Sequence, residues 1–499
     1  MHTLLNVSNL SFEFPNGRQI FNNLSFSLYC RLTALVGPNG IGKTTLAQLL
    51  CGELEPTSGV IRRNQSLTFL PQRKEPFAIS INEFLGFNYI WSALGERLLE
   101  NLDREALCTN LSGGEWMRVR LAATLDNQFL ILDEPTNDLD RTGRNLILTF
   151  LREREGGALL ISHDRECLSL CEEVLELSNR GLTKYGGGWE TYAEIRDLER
   201  KNLQNALELA TQERDSAINK RNQQKERQEK RNRQGVEAGA RGGMPKILLG
   251  ARKRRAQVTT GKIDVTTLEL TQEAAQKAFQ AFKEVKIDPV MYADLIKSEI
   301  PSQKLVAEAN EFNIRFNDWV YFENLNFVWR GNIRIALKGD NGSGKSTLLK
   351  AILGQEFETR GQLRTGNLTK LYIDQRCSIL DDNKSIFENI RDSSNLDESE
   401  IRNSLAKFLF SKEIVFQKIS DLSGGERLRA ALAKGFLSVQ KPELLVLDEP
   451  TNNLDLVNIE FLEKLVSEFC GAVIVISHDE VFLANCKVTE EIELYGGKK

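Results

Sequence analysis

Histidine is almost absent from this 499-residue chain: three occur, and two of them, His163 and His478, sit in the same tetrapeptide, ISHD. Cysteine is scarce as well. Eight are scattered from position 30 to position 486 and none form a C-x-x-C pair. That spacing argues against a zinc ribbon or an iron–sulfur cluster and fits reduced, mostly buried thiols. Long apolar runs are missing too, since GAVIVI and LLVL fall far short of the ~18–20 residues of a membrane-spanning helix. The opening MHTLLNVSNLSFEF has neither a basic n-region nor an apolar h-region, so no secretory leader is expected and the chain reads as cytoplasmic. Net charge is small, with 65 Lys and Arg against 69 Asp and Glu, a formal −4 that is silent about partners.

The repeated ISHD points to a duplication. The first third reads LVGPNGIGKTTL, FLPQ, LSGGE, ILDEPTNDLD and ISHD; the last third reads LKGDNGSGKSTL, YIDQ, LSGGE, VLDEPTNNLD and ISHD. Asp133 to His163 spans 30 residues, as does Asp448 to His478. The predicted fold is α/β, with two phosphate-loop domains over 1–186 and 309–499 and an intervening segment over 187–308.

Each block carries its own chemistry. GPNGIGKTT and GDNGSGKST fit G-x-x-x-x-G-K-[ST], and each follows a β-type run and precedes a helical pattern. Backbone N–H groups at a helix N-terminus suit phosphate. Gly37, Asn39, Gly40, Gly42 and Thr45 therefore join the first candidate loop, and Gly339, Asn341, Gly342, Gly344 and Thr347 the second. Lys43 and Lys345 are placed to reach the β- and γ-phosphates, and Thr44 and Ser346 to ligate Mg²⁺. FLILDEP and LLVLDEP read as buried strands ending in two acids. Asp133 and Asp448 are assigned to Mg²⁺. Glu134 and Glu449, aimed to the other side by strand alternation, are assigned to the general base.

LSGGE is also a capping box, S-x-x-E, before an apolar-periodic helix. Two glycines in a first helical turn cost stability, so Ser112, Gly113, Gly114, Ser423, Gly424 and Gly425 fit both capping and close approach by phosphate. Gln72 and Gln375 end short β-type runs at matched positions and are candidates for Mg²⁺ or water contact. His163 and His478 end apolar strands where a γ-phosphate contact belongs. Phe14 is either an adenine-stacking ring or an ordinary core residue; in the second copy its counterpart is either Phe316 or Trp319.

The middle segment resembles neither copy. Residues ~189–233 lack proline and glycine and predict a long helix. A glycine- and arginine-rich break follows, then a second helical run over about 266–285, so a helical hairpin is expected. From Lys220 to Lys262 there are 14 Lys/Arg and 3 Asp/Glu, a net +11 over 43 residues, which leaves −15 on the other 456. Such segregation suits a polyanion, and Arg241, Lys246, Arg252, Lys253, Arg254 and Arg255 are the candidate RNA contacts. The neighbouring apolar tip, from Met244 to Leu249, either closes the hairpin or inserts among bases.

With these blocks in place, the chain resembles the ATP-binding cassette ATPases, and within them the ABC-F class. Three features carry the closer resemblance: signatures ending in Glu, a PTN-x-LD continuation after each DEP strand, and a basic helical linker. YGGGWETY before the linker is similar to the family's lead-in segment. Only 39 residues separate Gln72 from Ser112, which leaves no room for the arm insertion some members carry. The resemblance implies head-to-tail cassettes, with Ser423, Gly424 and Gly425 closing over the nucleotide on Lys43, and Ser112, Gly113 and Gly114 over that on Lys345. It also implies ATP hydrolysis, a ribosomal partner with rRNA and tRNA near the linker, and a monomer without a membrane domain. Fused importer ATPases and ABC-type repair ATPases are the alternatives; the former have no basic hairpin, and the latter carry zinc cysteines or far longer coiled coils.

Overall fold

The computed structural model describes residues 3–72, 74–86, 92–124, 129–137, 139–240, 268, 270–278, 300–316, 319–320, 324–410, 414–452 and 454–495. Two units are distinguished: residues 1–192 with 289–499, and Ala193–Asp288.

In the first unit, cassette one opens with β1 (Thr3–Glu13) and β2 (Gln19–Tyr29), an antiparallel pair. Then come β3 (Leu32–Val36), α1 (Lys43–Cys51), β4 (Ser58–Arg63) and β5 (Leu67–Leu70). Helices α2 (Ile81–Leu85), α3 (Ala93–Leu98) and α4 (Gly113–Ala122) follow. The second half alternates β6 (Phe129–Asp133), α5 (Arg141–Glu153), β7 (Ala158–Ile161), α6 (Arg165–Ser169), β8 (Glu173–Ser178) and β9 (Gly181–Gly186). A six-stranded sheet of order β5-β6-β7-β3-β8-β9 is parallel except for β9, and a three-stranded sheet, β2-β1-β4, packs beside it. All of β6 is buried, because a central parallel strand is covered on both faces and so reads as one apolar run.

The linker helix α7 (Gly188–Ala240) is rooted in cassette one. Its Trp189 and Tyr192 rings lie 5.3 Å apart, and Tyr185 meets Tyr192 edge-on at 5.0 Å. The helix continues through Gly235 and Gly239, beyond the break expected from glycine there. Isolated glycines among good helix formers cost only about 1 kcal/mol each and do not end a helix by themselves. Within the second unit, half-buried positions recur at Leu203, Leu207, Ala210, Arg214, Ala217 and Arg221, alternating steps of four and three. That is the seam of a helix lying along another. A second helical stretch, α8, covers 270–278. The rest of the predicted hairpin lies outside the described residues.

Cassette two repeats the plan. Strands β10 (Leu305–Phe316), β11 (Trp319–Val320), β12 (Leu325–Arg330) and β13 (Arg334–Lys338) lead to α9 (Lys345–Leu353), β14 (Glu358–Thr365) and β15 (Lys370–Ile373). Helices α10 (Ile386–Arg391), α11 (Glu398–Lys407) and α12 (Gly424–Leu437) precede β16 (Leu444–Asp448) and α13 (Leu456–Glu468). The chain then forms β17 (Ala472–Ile476), α14 (Glu480–Asn485) and β18 (Glu490–Glu493). Its parallel sheet has the order β15-β16-β17-β13-β18. Each cassette has two apolar clusters, one between its two sheets and one between the parallel sheet and the helices. The phosphate loops and the strand-end acids emerge between these layers.

Candidate active site

Each phosphate loop leaves a buried strand and enters a helix capped by a left-handed glycine, Gly42 (φ 108°) for α1 and Gly344 (φ 92°) for α9. A side chain at Gly42 would collide with Ile20 and Phe21, and one at Gly37 with the carbonyl of Leu177. Only glycine fits these turns. Gly339 presses on Leu494 in the same way, whereas Gly40 and Gly342 face open space. Inside each loop lies an ammonium. Lys43 Nζ donates to the carbonyls of Gly37 (2.7 Å) and Pro38 (3.2 Å) and to Asn39 Oδ1 (3.4 Å); Lys345 Nζ donates to those of Gly339 (2.7 Å) and Asp340 (2.9 Å). Burial lowers both lysine pKa values, opposed by Glu134 at Lys43 and by Glu449 at Lys345. Thr45 and Thr347 are half-buried in the first helical turns, and Asn341 is exposed and lines one cavity with Glu134, His163, Glu449 and His478.

Strand-end carboxylates meet the loop hydroxyls. Thr44 Oγ1 donates to Asp133 Oδ2 at 2.6 Å, and Ser346 Oγ to Asp448 Oδ1 at 3.3 Å. Hydroxyl plus carboxylate is an all-oxygen donor set of the kind Mg²⁺ takes alongside phosphate and water, so these residues fit the ion. Cassette two adds a group that sequence reasoning missed: Tyr372 Oη donates to Asp448 Oδ2 at 3.2 Å. Its counterpart in cassette one is Phe69, which has no hydroxyl.

Glu134 and Glu449 correct one expectation. They do not continue the strand alternation; each turns into the left-handed region, with φ of 49° and 48°. Each keeps its backbone bond to the neighbouring strand, Glu134 N–H to Ile161 O (2.8 Å) and Glu449 N–H to Ile476 O (3.0 Å). Non-glycine residues held there carry strain, and such strain gathers at functional sites. Each carboxylate then faces the ISHD histidine of its own cassette. Glu134 Oε1 lies 3.6 Å from His163 Nε2, and Glu449 Oε1 lies 3.4 Å from His478 Nε2. Burial, then the Asp133 charge, raises the pKa of Glu134. Burial lowers His163, and burial followed by the Lys345 charge lowers His478 to about 4, so both rings are neutral at pH 7.

These dyads share a single cavity of about 230 Å³. Glu134, His163, Glu449, His478, Gln375 and Arg144 are among its lining residues. Phe14, Gln72, Ser112 and Ser423 are not. Gln72 is half-buried past the end of β5, and Phe14 meets Phe12 edge-on at 5.1 Å. The backbones of Phe316 and Trp319 pair across β10 and β11, and their side chains are not described.

Contacts between the cassettes were the least legible part. Asn39 N–H donates to Asp455 Oδ2 at 3.1 Å, which joins the first phosphate loop to the PTNNLD segment of cassette two. Arg165 forms a forked ion pair with Glu463, at 2.6 and 3.2 Å. Arg144 donates to the carbonyl of His478 and to Asp164 Oδ1, the latter at 2.6 Å. The paired acid-and-hydroxyl motifs had marked each cassette; nothing in one linear sequence marked which arginine would cross to the other.

Both signature serines form capping boxes. Ser112 Oγ accepts from Glu115 N–H and donates to Glu115 Oε2 (2.7 Å), and Ser423 does the same with Glu426 (2.6 Å). Ser112, Gly113, Ser423 and Gly424 are exposed, while Gly114 and Gly425 are buried. A side chain on Gly425 would overlap the Asn458 amide, so packing alone requires that glycine. Arg241, Lys246, Arg252, Lys253, Arg254 and Arg255 lie outside the described residues. No helix among the described residues is long and apolar enough to cross a membrane.

Two phosphate loops, each on its own doubly layered α/β domain, with the Glu–His dyads of both domains on one cavity, place the molecule among the tandem ATP-binding cassette proteins. The family model described as ABC transporter matches residues 21–137 and 322–452. ATP-binding protein Uup of Buchnera aphidicola subsp. Acyrthosiphon pisum (strain APS) is 30% identical over 97% of this chain and 79% of its own length. ABC transporter F family member 5 of Arabidopsis thaliana is 29% identical over 93% and 71%, and ribosome protection protein VmlR of Bacillus subtilis (strain 168) is 26% identical over 97% and 85%. The chain belongs to the ABC-F family of ATPases.

Proposed function

We propose that this chain hydrolyses ATP at two sites between its cassettes and uses their closure to control a ribosome-binding linker. The observation that carries the reading is the pair of Glu–His dyads, Glu134 with His163 and Glu449 with His478, on one cavity. In this reading Lys43 and Lys345 hold the β- and γ-phosphates, and the backbone N–H groups of both loops cradle them. Thr44 with Asp133, and Ser346 with Asp448, would hold Mg²⁺, which would supply charge neutralisation at the phosphates when bound. Glu134 and Glu449 accept the proton of the attacking water. His163 and His478, neutral in the folded protein, orient the water or a phosphate oxygen through a ring N–H.

The Asn39–Asp455 bond supports a head-to-tail arrangement in which Ser423, Gly424 and Gly425 belong to the Lys43 site and Ser112, Gly113 and Gly114 to the Lys345 site. We assign 1–186 and 309–499 to the cassettes and 187–308 to the linker, in a cytoplasmic monomer. The +11 segment from Lys220 to Lys262 is assigned to rRNA close to the tRNA sites, where it modulates translation or protects the ribosome from antibiotics. A relative carrying the name ribosome protection protein supports this partner.

The test replaces Glu134 and Glu449 together with Gln. The variant is expected to bind ATP without turning it over, to co-sediment with ribosomes only when ATP is present, and to inhibit translation. Sedimentation with membranes, or indifference to ribosomes, would overturn the reading.

A further inference from the structure

The two cassettes do not hold their histidines in the same way. Arg144 lies on α5 of cassette one, four residues after the helix-capping Asp140. Its guanidinium donates to the backbone carbonyl of His478 in cassette two. The same group holds Asp164 Oδ1 at 2.6 Å and Glu166 Oε2 at 3.1 Å in cassette one. The side chains of Arg144 and Asp164 are each 11% exposed, so this pair is shielded from solvent and anchored by charge. The residue that corresponds to Arg144 in cassette two is Ile459, which is buried and lines the same cavity. An isoleucine side chain has no donor for the carbonyl of His163.

We propose that Arg144 is a positioning residue for the histidine of the opposite cassette, so that His478 is set only when the cassettes are together, while His163 is set by its own cassette. The inference rests on the ATPase reading for its consequence and on geometry for its substance. His478 Nε2 faces Glu449 Oε1 at 3.4 Å, so the carbonyl that fixes the His478 backbone also fixes the approach of that ring to the acid. Asp164 has an anchor of its own, because its carboxylate caps α6 by accepting from the N–H groups of Glu166 and Cys167. Asp479 caps α14 in the same manner, so what distinguishes the two histidines is the Arg144 bond to the His478 carbonyl, and its loss is expected to release His478 and leave His163 in place. Closure then gates the Lys345 site more tightly than the Lys43 site.

Three histidines in the whole chain make the test direct. Ring C–H resonances of the full-length protein are compared between wild type and Arg144→Met, which keeps the side chain's length and removes its donors. The His478 resonance is expected to move and that of His163 to stay. In parallel, turnover is measured with one site silenced. In Glu134→Gln, adding Arg144→Met is expected to lower kcat about tenfold with KM for ATP within twofold, and Arg144→Lys to recover part of the loss. In Glu449→Gln the same change is expected to leave kcat within twofold. An unmoved His478 resonance, or equal losses in both backgrounds, overturns the proposal. If the wild-type chain does not hydrolyse ATP, the ATPase reading falls, and the resonance comparison still decides whether Arg144 holds His478.

Discussion

Asn39 in the first phosphate loop and Asp455 at the start of α13 are joined by a 3.1 Å hydrogen bond that crosses from one cassette to the other. The same carboxylate caps its own helix, accepting from the N–H of Asn458 at 3.0 Å and its amide at 2.7 Å. Asp455→Ala removes both the cap and the crossing bond. The cap alone is worth about 1 kcal/mol, so Tm is expected to fall by roughly 2–4 °C. ATP is expected to restore less of that Tm than in the wild type, because the loop it must stabilise has lost its acceptor. Asp455→Asn retains a cap and should fall between the two in a melt with and without nucleotide.

The second glycine of the cassette-two signature has a packing role that can be separated from any nucleotide role. Gly425→Ala forces a methyl against the Asn458 amide. Overpacking of this kind costs about 1–3 kcal/mol. Asn458→Gly, the residue found at the matching position of cassette one as Gly143, should recover most of the loss. A double-mutant cycle by chemical denaturation measures the coupling, and additivity of the two changes would show that the contact carries no strain.

A raised acid pKa has a stability signature of definite sign. Glu134 in the folded protein holds its proton above the ordinary glutamate value of 4.5, so the folded state binds more protons than the unfolded state once pH exceeds that value. Stability from this group is therefore lost as pH rises. Glu134→Gln removes the titration. Its Tm is expected to exceed that of the wild type at pH 8, with the gap closing as pH falls toward 4.5. A gap that widens toward acid would reverse the assignment.

For the linker, neutralising Arg252, Lys253, Arg254 and Arg255 together is expected to weaken ribosome binding and to flatten its dependence on log salt concentration. ATP affinity should remain unchanged. Binding titrations at several salt concentrations separate this from a solvated helix surface, which would leave both the affinity and the slope as they were.

What the sequence made legible was whatever repeats or is local. The lysine loops, the DEP strands, the capping boxes at Ser112 and Ser423, and the α/β layering follow from short-range pattern, because a buried parallel strand and a helix cap each leave a compact signal. Strand alternation does not extend to Glu134 and Glu449, because the strands end at Asp133 and Asp448 and the next residue takes a left-handed backbone. Asp455 stood in the quoted PTNNLD block, yet its partner lies 416 residues away. Arg144 and Arg165 belong to no repeated block, and their partners His478 and Glu463 lie in the other cassette.

The forked pair of Arg165 and Glu463 bears on how the halves recognise each other. The position of Arg165 in cassette one is held by Glu480 in cassette two, and that of Glu463 by Leu148 in cassette one. Two copies of cassette two, arranged with the same symmetry, would set Glu480 against Glu463, like charge on like charge. Two copies of cassette one would leave Arg165 facing a leucine. Only the unlike pairing satisfies both groups, so this contact favours cassette one against cassette two over either like pairing.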